Sequence, residues 1–185
     1  WKLLPVTLMP VNAFAQDSAG VLYAGTDKGL RYSYDHGTYW NSIEDNFFQV
    51  TAVTVDHKNS LFAGSLGIVK YALPISSASR FQLVCTNKIG FITYGTTELA
   101  VSKDNTLYAA IYHTVVLSKD DGVTWKVSGP MFTDIPFYAY GVSVAGDQTA
   151  YSAYGGYGVY RYDPQSDDWT ARSNGITPKD VYAVL

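Results

Sequence analysis

The sequence predicts an all-β protein assembled from copies of one four-strand unit, and three observations predict it. The first is composition: of 185 residues 47% are apolar and 15% aromatic, and 16 Tyr with 16 Gly favour pleated strands broken by tight turns. The second is an internal repeat. Ala13-Phe14-Ala15-Gln16-Asp17-Ser18-Ala19-Gly20-Val21-Leu22-Tyr23-Ala24-Gly25 recurs without a gap 39 residues on, as Ala52-Val53-Thr54-Val55-Asp56-His57-Lys58-Asn59-Ser60-Leu61-Phe62-Ala63-Gly64. It returns over 99–110 and, more loosely, over 142–153. The third is the alternation of apolar residues within the repeat, with no helical periodicity anywhere in the chain.

Each copy reads as an alternating strand, a turn rich in Asp, Asn, Gly or Lys, and a second strand ending in small residues, which is a β-hairpin. A third strand follows at 29–34, 67–71, 114–118 and 158–162, and a fourth centres on a large aromatic, Trp40, Phe81, Trp125 or Trp169. Four short strands every 39–46 residues are the signature of a β-propeller blade. The expected blades are 11–41, 50–85, 98–128 and 139–173, within a single partial propeller domain over 1–185. The outer aromatic would fill the widening wedge between blades. The small pairs Ala24-Gly25, Ala63-Gly64 and Ala109-Ala110 would let inner backbones crowd. Trp1 lies one repeat before Trp40, and Val181-Tyr182-Ala183-Val184 matches Val50-Thr51-Ala52-Val53. The phase therefore predicts four whole blades with a flanking strand at each end, cut from a ring of roughly six to eight blades. The remainder of the propeller would lie in the parent chain or in another chain.

Lys2, the uncharged stretch 3–11 and Ala13-Phe14-Ala15 imitate a secretory signal, but Pro5, Pro10 and the repeat's claim on 13–25 oppose that reading. No apolar run approaches the ~20 residues needed to span a bilayer.

The link from third to fourth strand is the sharpest local signal. Ser118-Lys119-Asp120-Asp121-Gly122-Val123-Thr124-Trp125 reads S-x-D-x-G-x-T-W, and 33–40 matches it at Ser33, Asp35, Gly37 and Trp40, with Tyr39 in the Thr place. The physics suits a turn: a short carboxylate accepts the turn's own N–H groups, Gly takes positive φ, and the Ser hydroxyl adds a local bond. These residues resemble the Asp-box, or BNR repeat, of sialidases, xyloglucanases, sortilin-type domains and photosystem assembly factors. Gly29-Leu30-Arg31-Tyr32-Ser33 also looks like that family's approach to the motif. Two blades depart from it: 71–80 has no Asp and a longer loop, and Asp163 stands one place out of register. The resemblance implies the propeller fold, boxes on the rim opposite the ligand face, and Asp35 and Asp120 as turn-builders. On function it is nearly silent. A secreted or cell-surface location follows from the resemblance alone.

Thirteen Lys+Arg against sixteen Asp+Glu leave a net charge of −3 and no basic excess for a phosphate backbone, so no nucleic-acid partner is expected. His36, His57 and His113 fall singly in different turns, and Cys85 is the sole cysteine, so neither a metal set nor an intrachain disulfide is expected. No cofactor motif is present. A sialidase resemblance would imply an arginine trio on the substrate carboxylate, whereas Arg31, Arg80, Arg161 and Arg172 fall on peripheral positions. A xyloglucanase-like glycosidase needs two carboxylates across a cleft, for which the loop residues Asp45 and Asp134, with Glu44 nearby, are the candidates. Tyrosines in the turns between second and third strands offer stiff amphipathic contact area, which makes Tyr112, His113, Tyr154 and Tyr157 the ligand-contact candidates. Phe47-Phe48 and Phe137-Tyr138 are expected in the core. The reading is a non-catalytic scaffold or recognition segment that meets a glycan or protein at its loop face. The alternative is part of a glycoside hydrolase whose catalytic groups lie partly outside the segment.

Overall fold

A computed structural model describes residues 10–43, 49–85, 88–89, 92–93, 95–130, 138–176, 181–182 and 184. Among them the chain is all-β, with four antiparallel four-stranded sheets and no helix. Blade 1 holds β1 (Val11–Gln16), β2 (Leu22–Thr26), β3 (Gly29–Ser33) and β4 (Asn41–Ser42); blade 2 holds β5 (Ala52–Val55), β6 (Ser60–Gly64), β7 (Ile68–Ala72) and β8 (Gln82–Cys85). The sequence did not foresee the small hairpin of β9 (Lys88–Ile89) and β10 (Ile92–Thr93) that follows. Blade 3 is β11 (Thr96–Val101), β12 (Leu107–Ile111), β13 (Thr114–Ser118) and β14 (Lys126–Val127). Blade 4 is β15 (Ala139–Val144), β16 (Ala150–Tyr154), β17 (Gly158–Asp163) and β18 (Asp168–Ala171). Strands follow chain order in every sheet, and the inner strands β1, β5, β11 and β15 pack against one another in succession.

The core lies between blades, because each strand sends alternate side chains to opposite faces. Tyr23, Leu30 and Tyr32 of blade 1 meet Leu61, Val69 and Tyr71 of blade 2. The other face of blade 2, with Phe62 and Ile68, meets Leu107, Ile111 and Val116 of blade 3. Tyr108, Val115 and Leu117 of blade 3 meet Val142, Tyr162 and Trp169 of blade 4. Burying a side chain such as Phe62 contributes about 2–3 kcal/mol. Small residues permit the close approach at the axis: a Cβ on Gly25 would stand 2.7 Å from Val50 of the next blade, and one on Gly64 2.6 Å from Thr96.

A bulge recurs near the start of the inner strand, at Asn12, Thr97 and Tyr140, with Thr51 in the same repeat position. Three of these four side chains tie their blade to the next. Asn12 Nδ2 donates to Val50 O at 3.0 Å, Thr51 Oγ1 to Thr96 O at 2.5 Å, and Thr97 Oγ1 to Ala139 O at 2.7 Å.

Two expectations need adjustment. The fourth strand does not centre on the aromatic in blades 1–3: Trp40, Phe81 and Trp125 each immediately precede it, and Trp169 alone lies within. In blades 1 and 3 the cause is the turn, which occupies the backbone up to the Trp. Trp169 does fill a wedge, donating Nε1 to Ser128 Oγ beside blade 3. The expected flanking strands are the second point. Trp1 lies outside the described residues, and Val181, Tyr182 and Val184 carry no strand.

Candidate functional site

The sheets present two rims of different character. At one rim the links between third and fourth strands close on their own backbone. Ser33 Oγ donates to Asp35 Oδ1 at 2.8 Å and accepts Gly37 N–H at 2.9 Å, while Asp35 Oδ1 accepts Tyr39 N–H at 2.9 Å. The second link repeats this with Ser118, Asp120 and Gly122, and adds Thr124 Oγ1 to Asp120 Oδ2 at 2.6 Å and Trp125 Nε1 to Gly122 O at 3.0 Å. Gly37 and Gly122 have φ near 85°, and the residues before them, His36 and Asp121, are also left-handed. Hydrogen bonds hold both carboxyls below the ordinary Asp range, from Tyr39 N–H first at Asp35 and from Thr124 first at Asp120. These groups face their own turns.

The same rim is cross-tied between blades. Asn105, buried and left-handed, accepts His57 N–H at 3.0 Å and donates to Asp121 at 2.8 Å and Asp56 at 3.3 Å, while Lys58 Nζ pairs with Asp121 at 2.8 Å. In the next junction Gln148, in the corresponding position, accepts Lys103 N–H. Between blades 1 and 2 the longer 73–81 link inserts Ile75, which is fully buried and whose carbonyl accepts the Tyr34 hydroxyl.

The opposite rim, formed by turns between second and third strands and by inter-blade links, carries the aromatic side chains. Tyr112 and His113 sit in the β12–β13 turn, half-buried, with ring centroids 4.6 Å apart. Tyr138 joins them: its ring lies edge-on to Tyr112 at 4.2 Å, the two hydroxyls are hydrogen-bonded at 2.6 Å, and its plane is within 9° of His113. The row continues through Tyr140 at 5.7 Å from Tyr138 and Tyr182 at 4.9 Å from Tyr140. Tyr182 is 65% exposed. Gly155 makes room for the Tyr140 ring, since a Cβ there would stand 2.6 Å from its Cε2.

Against the sequence candidates the outcome is divided. Tyr112 and His113 come together on the loop face. Tyr154 does not belong there: it is the last residue of β16, its side chain points inward, and it is 0% exposed with its hydroxyl beneath Gly129. Burial accordingly raises its phenol pKa. Tyr157 is half-buried and packs on the core of blades 3 and 4 rather than joining the row. Tyr138, expected in the core, is instead a member of the row. Asp45 and Asp134, with Glu44, lie outside the described residues. Among the described residues no group of three or more His, Cys, Asp or Glu could hold a metal ion.

A groove of about 550 Å³ runs along the inner strands β1, β5 and β11. Its polar wall includes Asn12, Gln16, Thr51, Thr97 and Glu98. Glu98 is half-buried and accepts Val142 N–H, yet burial outweighs that bond and raises its pKa. Sequence reasoning passed it over, although its signal was available: the repeat places Ala13, Ala52 and Gly141 in the corresponding positions.

No family model matches the chain, and no curated protein matches it. Solved structures do. The extracellular domain of BT4673 from B. thetaiotaomicron superposes with a TM-score of 0.77 at 13% identity, over 99% of this chain and 26% of that one. An ancestral GH74 enzyme gives 0.78 at 15% identity, over 97% and 28%. YCF48 bound to D1 peptide gives 0.61 at 12%, over 92% and 55%. The fold is that of a β-propeller. The chain spans about a quarter of the length of BT4673 and the GH74 enzyme and about half that of YCF48, and at these identities the likeness is one of fold. No helix of the described residues is long and apolar enough to cross a membrane.

Proposed function

We propose that the chain is a non-catalytic recognition segment of a propeller that binds its ligand through the aromatic row on the loop face of blades 3 and 4. The observation that carries this reading is the contiguity of Tyr112, His113, Tyr138, Tyr140 and Tyr182, whose rings touch in sequence while each keeps solvent-facing surface. Stiff rings edged with hydroxyls suit the apolar face and hydroxyl rim of a sugar, so a glycan is the ligand class we favour over a protein segment. The neighbour bound to D1 peptide supports use of this fold for recognition, and the GH74 neighbour keeps glycan chemistry in view.

A glycan screen followed by titration tests it. The wild-type chain binds a glycan saturably, and a Tyr112→Ala, Tyr140→Ala double variant with an unchanged circular dichroism spectrum loses roughly tenfold or more in affinity. Undiminished binding by the double variant overturns the reading. Release of reducing ends from a polysaccharide by the wild-type chain would replace it with the hydrolase.

A further inference from the structure

Glu98 departs from the repeat at a place where departure is costly. In the other three blades the corresponding residue is Ala13, Ala52 or Gly141, as the crowding of inner strands requires. Blade 3 puts a half-buried carboxyl there, beside Val142 N–H. The strands packed against β11 are β5, β6, β12 and β15. Their residues include no Lys, Arg, His, Asp or Glu, and their only titratable groups are Tyr108 and Tyr140. Among the described residues lining the 550 Å³ groove, Glu98 is likewise the only ionisable one. A carboxylate drawn out of water without a counter-charge is expensive, and a charged ligand is what would offset it. The rest of the polar wall is neutral: Asn12, Gln16, Thr51, Thr54 and Thr97.

We infer that the groove is a binding site for a small organic cation, a primary ammonium group, with Glu98 as its counter-charge and the neighbouring amides and hydroxyls as acceptors for its remaining N–H groups. An ammonium offers three donors and one positive charge, which a single carboxylate set among neutral oxygens matches. A Ca²⁺ ion, by contrast, asks for six to eight oxygens and usually several carboxylates. No residue of the aromatic row lines the groove, so binding at Glu98 is read separately from binding to the row.

The experiment titrates the chain with propylammonium chloride and, in parallel, with 1-propanol and magnesium chloride, following backbone amide resonances at pH 7.5. Propylammonium produces saturable shifts that include the Val142 amide, and neither comparison solute does so at equal concentration. Glu98→Gln keeps an acceptor for Val142 N–H but removes the charge, and weakens binding roughly tenfold or more. Glu98→Ala installs the residue that blades 1 and 2 carry at this position, folds, and shows the same loss. Lowering the pH through the raised carboxyl pKa also weakens binding by the wild type. Failure of propylammonium to bind, equal binding of propanol, preferential binding of magnesium, or unaltered affinity in Glu98→Gln would each overturn the assignment.

Discussion

The two rims of these sheets are built on different terms. At the box rim, between blades 2 and 3, polar groups find partners across the junction: Asn105 bonds to His57, Asp56 and Asp121, and Lys58 closes on Asp121. On the loop face each junction is tied by a main-chain bond (Val50 N–H to Thr26 O, Thr96 N–H to Ser65 O, Ala139 N–H to Tyr112 O), joined in the first three blades by the side chain at the inner-strand bulge position, where blade 4 holds Tyr140. Its ring stacks outward between Tyr138 and Tyr182. At the box rim between blades 2 and 3 a knot of polar side chains joins the blades; the loop face relies mainly on main-chain bonds and leaves ring surface facing solvent where blades 3 and 4 meet.

If that contrast is right, Asn105→Gly is the most damaging of three substitutions. It suits the left-handed backbone but strips three hydrogen bonds from a buried knot, and should cost about 2–3 kcal/mol in urea denaturation. Thr51→Val and Thr97→Val each remove a hydroxyl that donates to a carbonyl of the next blade, and should cost about 1 kcal/mol apiece by the same measurement. A loop-face loss equal to that of Asn105→Gly would erase the distinction between the rims. The smallest effect is one of acidity. Asp35 and Asp120 have carboxyl pKa values depressed by their turns, so the stability they confer is present above the ordinary Asp value of about 3.9 and fades as pH falls through the lower folded values. The melting temperature should therefore drop by a few degrees on acidification below about pH 4, and drop less in an Asp35→Asn, Asp120→Asn variant. An identical acid profile in that variant would remove those carboxyls from the account.

What could be read from the sequence depended on whether a position repeats its chemistry. The hairpins and the Ser33 and Ser118 turns were legible because apolar alternation and the Ser, Asp and Gly spacing recur unchanged. The bulge was not, because Asn12, Thr97 and Tyr140 share its backbone geometry while their side chains differ, and apolar alternation does not mark one extra residue in a strand. Tyr154 was misplaced by one residue of turn: Gly155-Gly156 marks the bend, but the strand runs up to Tyr154 and alternation turns its ring inward. Tyr138 reads as core from the sequence because Phe137-Tyr138 leads directly into an inner strand. Glu98 was hidden in plain view, since searching for pairs of carboxylates passes over a solitary one.

The direction of the junction ties has a consequence for how such a protein can change. At the inner bulge the side chain belongs to the earlier blade and the partner is a main-chain oxygen of its successor; at the opposite rim Asn105 and Gln148 belong to the later blade and receive a main-chain amide of its predecessor. Each of these bonds is thus addressed to peptide groups, which every amino acid supplies. For these bonds a duplicated or transplanted unit would ask for no particular residue next door; the side-chain pairs Asn105–Asp56, Lys58–Asp121 and Trp169–Ser128 are the couplings that would have to change together.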